Sequence, residues 1–181
     1  MRYAQIRNMD VSNGDGIGVA LFVQGCQFHC KNCFNSETWG FNNGKEWTKE
    51  IKDKFLKLID KSYIKRVSIL GGSPLVDENI EDIIKLVKDI KRLYPDKKIW
   101  LYTGYTFETI MNQVVTDDFN PLRTHYINCR REVLNYIDIL VDGQYVDELR
   151  DLSLKFRGSS NQRLIDVKKS LEKNEVVLWS K

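Results

Sequence analysis

The chain has 181 residues, of which 42% are hydrophobic and 29% charged, with 28 basic and 25 acidic side chains and a formal net charge of +3. That is enough apolar material for one domain with a core, which excludes a disordered chain. With 3 prolines and 11 glycines it is no low-complexity or collagen-like chain. Bases and acids are interleaved, as in KEWTKEIKDKF, so the mild positive charge reads as a solvated mixed surface rather than a nucleic-acid patch.

The opening residues, MRYAQIRNMD, lack the apolar stretch of a signal peptide. The longest apolar run, 17–23, is far short of the about 18–20 residues a bilayer requires. The expectation is a cytoplasmic protein that binds neither membrane nor nucleic acid, a setting that disfavours structural disulfides. Asn13-Gly14-Asp15-Gly16 reads as a turn. Residues 18–24 then form a buried strand that runs straight into Gly25-Cys26.

A helix is expected over about 48–61, with Thr48 as its N-cap and Ile51, Phe55, Leu58 and Ile59 as its apolar stripe. Residues 66–70 read as a strand ended by Gly71-Gly72-Ser73-Pro74. Ile80, Ile83, Ile84, Val87, Ile90 and Leu93 recur at helical spacing and predict a helix over about 78–93. A third strand is expected at 98–104 and a helix over about 106–115. Residues 116–135 are polar and are set apart as a candidate insertion. Residues 136–141 read as a fourth strand ended by Asp142-Gly143, 156–166 as a polar loop, and 175–179 as a last short strand.

Strands alternating with helices argue for βαβ units and one parallel sheet. Ligands bind at the carboxyl edge of such sheets. The cysteine loop, 71–74, 103–105 and 142–143 each follow an expected strand, so they should converge at that edge. Tyr102, Thr103 and Tyr105 would stand there, as contacts or as packing. Asp142 would either bond a ribose hydroxyl or simply make a turn.

The chemistry is concentrated in Cys26-Gln27-Phe28-His29-Cys30-Lys31-Asn32-Cys33, a CxxxCxxC spacing. Three thiolates this close can hold one metal centre. Zinc wants four ligands, which His29 or the distant Cys129 could complete. An iron–sulfur cluster held by three cysteines leaves one iron open to a substrate. Zinc modules bring their ligands in pairs from two segments, and no second pair exists here, so the spacing favours the cluster. Lone Cys129 reads as a packed or surface thiol.

A CxxxCxxC loop after a buried strand resembles the radical S-adenosylmethionine enzymes. More narrowly, the chain resembles the family of activating proteins of the anaerobic ribonucleoside-triphosphate reductase. The resemblance is carried by NGDGIGVALFVQGCQFHCKNCFNSETW (13–39), LGGSPL (70–75), WLYTGYTFE (100–108), DILVDGQYV (138–146) and FRGSSNQRLID (156–166). It implies that Cys26, Cys30 and Cys33 each ligate one iron of a 4Fe–4S cluster, with S-adenosyl-L-methionine on the fourth iron. Asn32, Cys33 and Phe34 would lie along that cofactor. Gly71, Gly72 and Ser73 would hold its amino group through backbone carbonyls. The implied activity is reductive cleavage of the cofactor and generation of a glycyl radical in the large subunit of the reductase. A flavodoxin or ferredoxin would supply the electron. An activase of a different glycyl-radical enzyme, or a zinc-stabilised binding module, are the other readings. Two positions depart from the family pattern: Ser73 stands where an acidic residue is common, and the turn ending at Gly18 lacks a customary arginine. At this length the expected fold is an incomplete α/β barrel, an open, mostly parallel sheet with helices outside, in a single radical-SAM domain spanning 1–181.

Overall fold

The computed structural model describes residues 1–113 and 120–180. Seven strands form one open sheet: β1 Arg2–Asp10, β2 Gly18–Val23, β3 Lys45–Glu46, β4 Arg66–Gly71, β5 Lys98–Tyr102, β6 Ile139–Asp142 and β7 Arg163–Asp166. Their spatial order is β3-β1-β2-β4-β5-β6-β7. The four central strands, β2, β4, β5 and β6, are parallel, and the flanking β1, β3 and β7 pair antiparallel. The helices are α1 Lys49–Ile59, α2 Asp77–Leu93, α3 Phe107–Asn112, α4 Pro121–Leu134 and α5 Val167–Lys173. None of these is long and apolar enough to cross a membrane.

Side chains alternate across a strand, so each central strand serves two environments. Val19, Leu21 and Val23 of β2, Val67 and Ile69 of β4, Ile99 and Leu101 of β5 and Leu140 of β6 share one core. The buried residues of the helices join that same core, among them Phe55, Ile80, Ile83, Val87, Ile110, Val133 and Val167. The opposite face carries Ala20, Phe22 and Leu70, and beside them Trp100, Ile139 and Val141. The helices thus cover one face and leave the other to loops and a cleft.

Several expected elements form as read. The Thr48 hydroxyl accepts from the Ile51 N–H and starts α1, a cap worth about 1 kcal/mol. The α2 stripe is buried from Ile80 to Ile90, but Leu93 is 44% exposed at the helix end. Thr106 caps α3; residues 114 and 115, expected to extend it, lie outside the described residues.

Other elements differ from the expectations. β1 has no apolar alternation, because only Tyr3 and Asp10 are buried along it. Pairing with β2 and β3 makes it a strand. Within 116–135, the described part holds α4, which packs against α2 and bridges β5 to β6. Its packed face mixes apolar and polar groups: Ile127, Val133 and Leu134 are buried, while Arg130 Nε donates to the Leu75 carbonyl at 2.7 Å and the guanidinium pairs with Asp77. The buried arginine interrupts the apolar stripe and makes it hard to read. The expected loop 156–166 ends in β7, an edge strand with only Leu164 and Ile165 buried. The expected last strand, 175–179, is reduced to a bridge between Ile165 and Leu178. α5 precedes it, capped by Asp166 and ended by Asn174 in the left-handed conformation, at φ 53°.

One polar tie closes the carboxyl edge. Arg163 grips the buried Asp142 carboxylate at 3.0 and 2.5 Å and the Glu108 carboxylate at 2.8 and 2.7 Å, joining β7, β6 and α3. Asp142 also accepts from the Phe107 N–H at 2.8 Å. Its oxygens are spent inside the fold, so Asp142 is a structural turn residue rather than a ribose ligand. The Arg163 hydrogen bonds pull the Glu108 carboxyl down to about 2. A carboxyl depressed on folding stabilises the protein above its unfolded value, and that contribution is lost as pH falls through the folded one. The thermal-midpoint difference between the wild type and Glu108→Gln should therefore shrink from pH 6 toward pH 2.5. A difference that stays constant over this range would contradict the ion pair.

Candidate functional site

The cysteine loop is pinned at its base. Gly25 N–H donates to the Thr38 carbonyl at 2.8 Å and Cys26 N–H to the Trp39 carbonyl at 3.0 Å, closing residues 25–39 into one loop. Inside it the chain turns sharply. His29 and Asn32 adopt left-handed backbone, at φ 46° and 55°, and Cys33 N–H donates back to the Cys30 carbonyl at 3.1 Å. These turns bring the three thiols to the wall of one cleft. Burial pushes the Cys26 and Cys30 thiols up, and the neighbouring cysteine sulfurs add to that rise. Metal binding must therefore displace their protons.

The cleft has a volume of about 410 Å³, within the range of small-molecule sites. The four loops expected at the carboxyl edge all reach it: Cys26, Cys30 and Cys33; Gly71, Gly72 and Ser73; Thr103 and Gly104; and Gly143. The second of these loops is stapled to the first. Gly72 N–H donates to the Val23 carbonyl at 2.9 Å and Ser73 N–H to the Gly25 carbonyl at 2.8 Å. The buried Asn79 side chain bonds both the Gln24 and Ser73 carbonyls, at 2.9 and 3.1 Å. A trans peptide directs its carbonyl opposite its N–H. The Gly71 and Gly72 carbonyls therefore point away from the Val23–Gly25 backbone. Gly72 is glycine because of this neighbour: a Cβ there would stand 2.4 Å from the Gly25 oxygen. Gly72→Ala should cost about 1–3 kcal/mol, the usual range for overpacking, and should loosen the cysteine loop. A thermal midpoint within error of wild type would show that the loops can part without cost.

The other expected site residues fall in different places. Phe34 lines the cleft, 53% exposed, with its ring against Tyr145 at 5.4 Å and under the Arg150 guanidinium at 5.2 Å. Asn32 does not line the cleft; its amide donates to Asp147 at 2.6 Å. Ser73 is buried, with its hydroxyl 3.4 Å from that of Thr103. Tyr102 lines the cleft; its hydroxyl has no partner among the described residues, and burial pushes its pKa up. Tyr105 packs instead on Phe28 at 5.0 Å and accepts from Gln27 at 2.7 Å. Lys31 is exposed and pairs with Glu148 at 3.3 Å.

Sequence reasoning missed Arg7, Asn13, Gln144, Tyr145 and Arg157, all in the cleft wall. Gln144 and Tyr145 stood inside the DGQYV stretch, the one signal that pointed to them. Arg7 comes from the unexpected strand β1. With Arg157 it gives the cleft the basic groups that the turn ending at Gly18 lacks.

The donor set discriminates between metals. His29 is exposed with its ring against Trp39 at 4.9 Å, and it is not in the cleft wall. Cys129 is buried on α4 beside His125. Neither joins the three cysteines. Among the described residues, no three histidine, cysteine, aspartate or glutamate side chains converge on a point that one ion could fill. A cluster asks for a different geometry. Each thiolate binds its own iron, so three sulfurs stand apart around a volume. Three cysteines at the rim of a cofactor-sized cleft, with the orphaned Tyr102 hydroxyl and Arg157 Nε in its wall, fit a cluster whose remaining iron faces a second ligand.

A parallel sheet with this cysteine loop at its carboxyl edge defines a single-cluster iron–sulfur protein. Residues 12–165 match the family model described as 4Fe-4S single cluster domain. The chain is also similar to curated proteins named anaerobic ribonucleoside-triphosphate reductase-activating protein. That of Salmonella typhi is 39% identical over 164 residues, 90% of this chain and 96% of the relative. That of Escherichia coli (strain K12) is 38% identical over the same shares. That of Enterobacteria phage T4 is 38% identical, covering 91% of this chain and 93% of the relative. The chain belongs to the family of anaerobic ribonucleoside-triphosphate reductase-activating proteins.

Proposed function

We propose that this chain is a radical S-adenosylmethionine enzyme that activates the anaerobic ribonucleoside-triphosphate reductase. Cys26, Cys30 and Cys33 hold a 4Fe–4S cluster, one iron each. The observation that carries this reading is the placement of these three thiols in the wall of one cleft, with no fourth protein ligand among the described residues. When bound, cluster and cofactor together supply a one-electron cleavage of S-adenosylmethionine that yields methionine and a radical able to take hydrogen from a glycine of the reductase large subunit.

The chain's own residues position and enclose. The Gly71 and Gly72 carbonyls, facing away from the Val23–Gly25 backbone, would accept the cofactor's amino group, and Ser73 supports them through its N–H to Gly25. A serine in place of a common acidic residue is tolerated because the holding groups are backbone. Cys33 and Phe34 lie along the cofactor, with the Phe34 ring held by Tyr145 and Arg150. Asn32 acts indirectly, by tying the cysteine loop to Asp147.

The fold reading goes one step further: the sheet is an incomplete barrel, and residues 1–181 form one radical-SAM domain. This is supported by the helices lying on one face and the cleft on the other, and by one sheet joining β1 to β7. An open mouth suits a substrate that is a loop of a large protein. The electron comes from a flavodoxin or ferredoxin, and the work is done in the cytoplasm.

The test is anaerobic loading of the full chain with iron and sulfide, then dithionite, S-adenosylmethionine and the reductase. The expected result is about four irons and four sulfides per chain, formation of 5′-deoxyadenosine, and an oxygen-sensitive glycyl-radical signal in the reductase. A colourless chain that takes up zinc and cleaves no cofactor would overturn the proposal. Cofactor cleavage with a radical formed only in another glycyl-radical enzyme would redirect it.

A further inference from the structure

The segment Gly158–Arg163 is polar, partly buried, and accounted for by neither cluster nor cofactor. Its side chains share one destination. Asn161 Nδ2 donates to the Gln144 carbonyl at 2.8 Å, and Gln162 Nε2 to the Gly143 carbonyl at 3.0 Å. The buried Ser159 hydroxyl accepts from the Val146 N–H at 3.2 Å. Arg163 holds Asp142. Gln162 Oε1 also accepts from the Gly158 and Ser159 N–H groups, at 3.0 and 3.3 Å, which fixes its own amide. The bonds from Ser159, Asn161, Gln162 Nε2 and Arg163 immobilise the turn 142–146.

That turn presses on the cysteine loop. Gln144 Oε1 lies 3.9 Å from Cys30 Sγ. The Tyr145 backbone N–H also reaches the Cys30 thiol. Asp147 and Tyr145 secure the contact from outside, through Asn32 at 2.6 Å and the Phe34 ring at 5.4 Å.

A free thiol donates to the Gln144 oxygen. A sulfur that ligates iron has lost its proton and can only accept. A carboxamide serves both states, because it carries an acceptor oxygen and a donor nitrogen on one rotatable group. Neither a carboxylate nor an aliphatic side chain can do so.

We propose that Gln144 and the Tyr145 N–H form the outer hydrogen-bonding shell of the Cys30 sulfur, held in place by Ser159, Asn161 and Gln162, and that this shell raises the reduction potential of the cluster. The inference rests on the reading that Cys30 is a cluster ligand. Reduction adds negative charge to the cluster and its sulfurs, and a hydrogen bond to sulfur favours the more negative state. Gln144 is thus a positioning and tuning residue that touches a ligand rather than the substrate.

The experiment is a redox titration of the reconstituted full-length protein, followed by the electron paramagnetic resonance signal of the reduced cluster. Iron and sulfide content is measured on the same samples. Gln144→Leu should keep the cluster and move the midpoint to more negative potential. Gln144→Glu, which adds a charge and offers no donor, should move it further. Asn161→Ala, which leaves Gln144 in place but frees its backbone, should give a smaller shift of the same sign. It also keeps the test open should a Gln144 variant fail to load. A purely structural role would lower the thermal midpoint and leave the potential where it was. Wild-type potentials in all loaded variants would overturn the proposal. Failure of the underlying reading looks different: a cluster retained in full by Cys30→Ala.

Discussion

Replacing Cys26, Cys30 or Cys33 singly with alanine is expected to abolish cofactor cleavage while leaving the fold largely intact. The reason is local. The three side chains are only partly buried on a loop, whereas the core is built by the sheet and the helices behind it. The loop base is held by backbone bonds that no cysteine side chain makes, Gly25 to Thr38 and Cys26 to Trp39. The far-ultraviolet circular dichroism of each variant should match wild type, while iron content and 5′-deoxyadenosine formation fall to background. Cys129→Ala should retain both, because that thiol lies on α4 beside His125, outside the cleft. Turnover surviving in any one of the three loop variants would remove the cluster assignment.

The largest stability effect is expected far from the cysteines. Arg66 is fully buried, and its Nη2 pairs with Asp10 Oδ1 at 2.8 Å and the Asp10 carbonyl at 3.0 Å. Its Nη1 donates to Ser68 at 2.5 Å. Asp10→Ala strands a buried guanidinium, at a cost of about 3–5 kcal/mol. For a chain of this size that is roughly 6–20 °C in thermal midpoint. Burial alone would raise the Asp10 carboxyl, but hydrogen bonds from Arg66 and Asn13 outweigh it and hold the carboxyl below its usual value. Its stabilisation is present above the ordinary carboxylate range and fades as pH falls through the lowered value. The gap between wild type and Asp10→Ala should therefore narrow in acid. The double variant Asp10→Asn with Arg66→Met, which removes both charges, should recover much of the loss. A single variant as stable as wild type at pH 7 would mean that water reaches the pair.

This pair also accounts for glycines that look like turn residues in the sequence. A Cβ at Gly18 would stand 2.6 Å from the Arg66 side chain, and one at Gly14 2.8 Å. Gly14 has a positive φ of 135°, so turn and packing coincide there. At Gly18 no turn is needed, and the room taken by a buried arginine is the whole reason.

The cysteine spacing was readable because chemistry constrains it locally: three thiolates within eight positions mean a shared centre wherever the loop sits. The central strands were readable as short continuous apolar runs, buried throughout in β2 and β6, and α2 because it is buried on a helical period from Ile80 to Ile90. The edge convergence followed from alternation, since each loop after a parallel strand opens at the same edge.

What the sequence could not supply depends on partners distant in the chain. β1 is a strand because β2 and β3 bond to it, not because its residues alternate. α4 hides its arginine against Leu75 and Asp77, so polarity masks a packed face. β7 is defined by its pairing with β6. The destination of Asp142 and of Ser159, Asn161 and Gln162 was equally invisible: a side-chain oxygen reads the same whether it faces a ribose or a backbone amide. Composition, period and motif spacing are short-range properties and determined the class of centre, the core of the sheet and the edge where the site lies. Which polar side chains are spent inside the fold, and which remain free to face a cofactor, is set by long-range hydrogen bonding, and only the tertiary structure decides it.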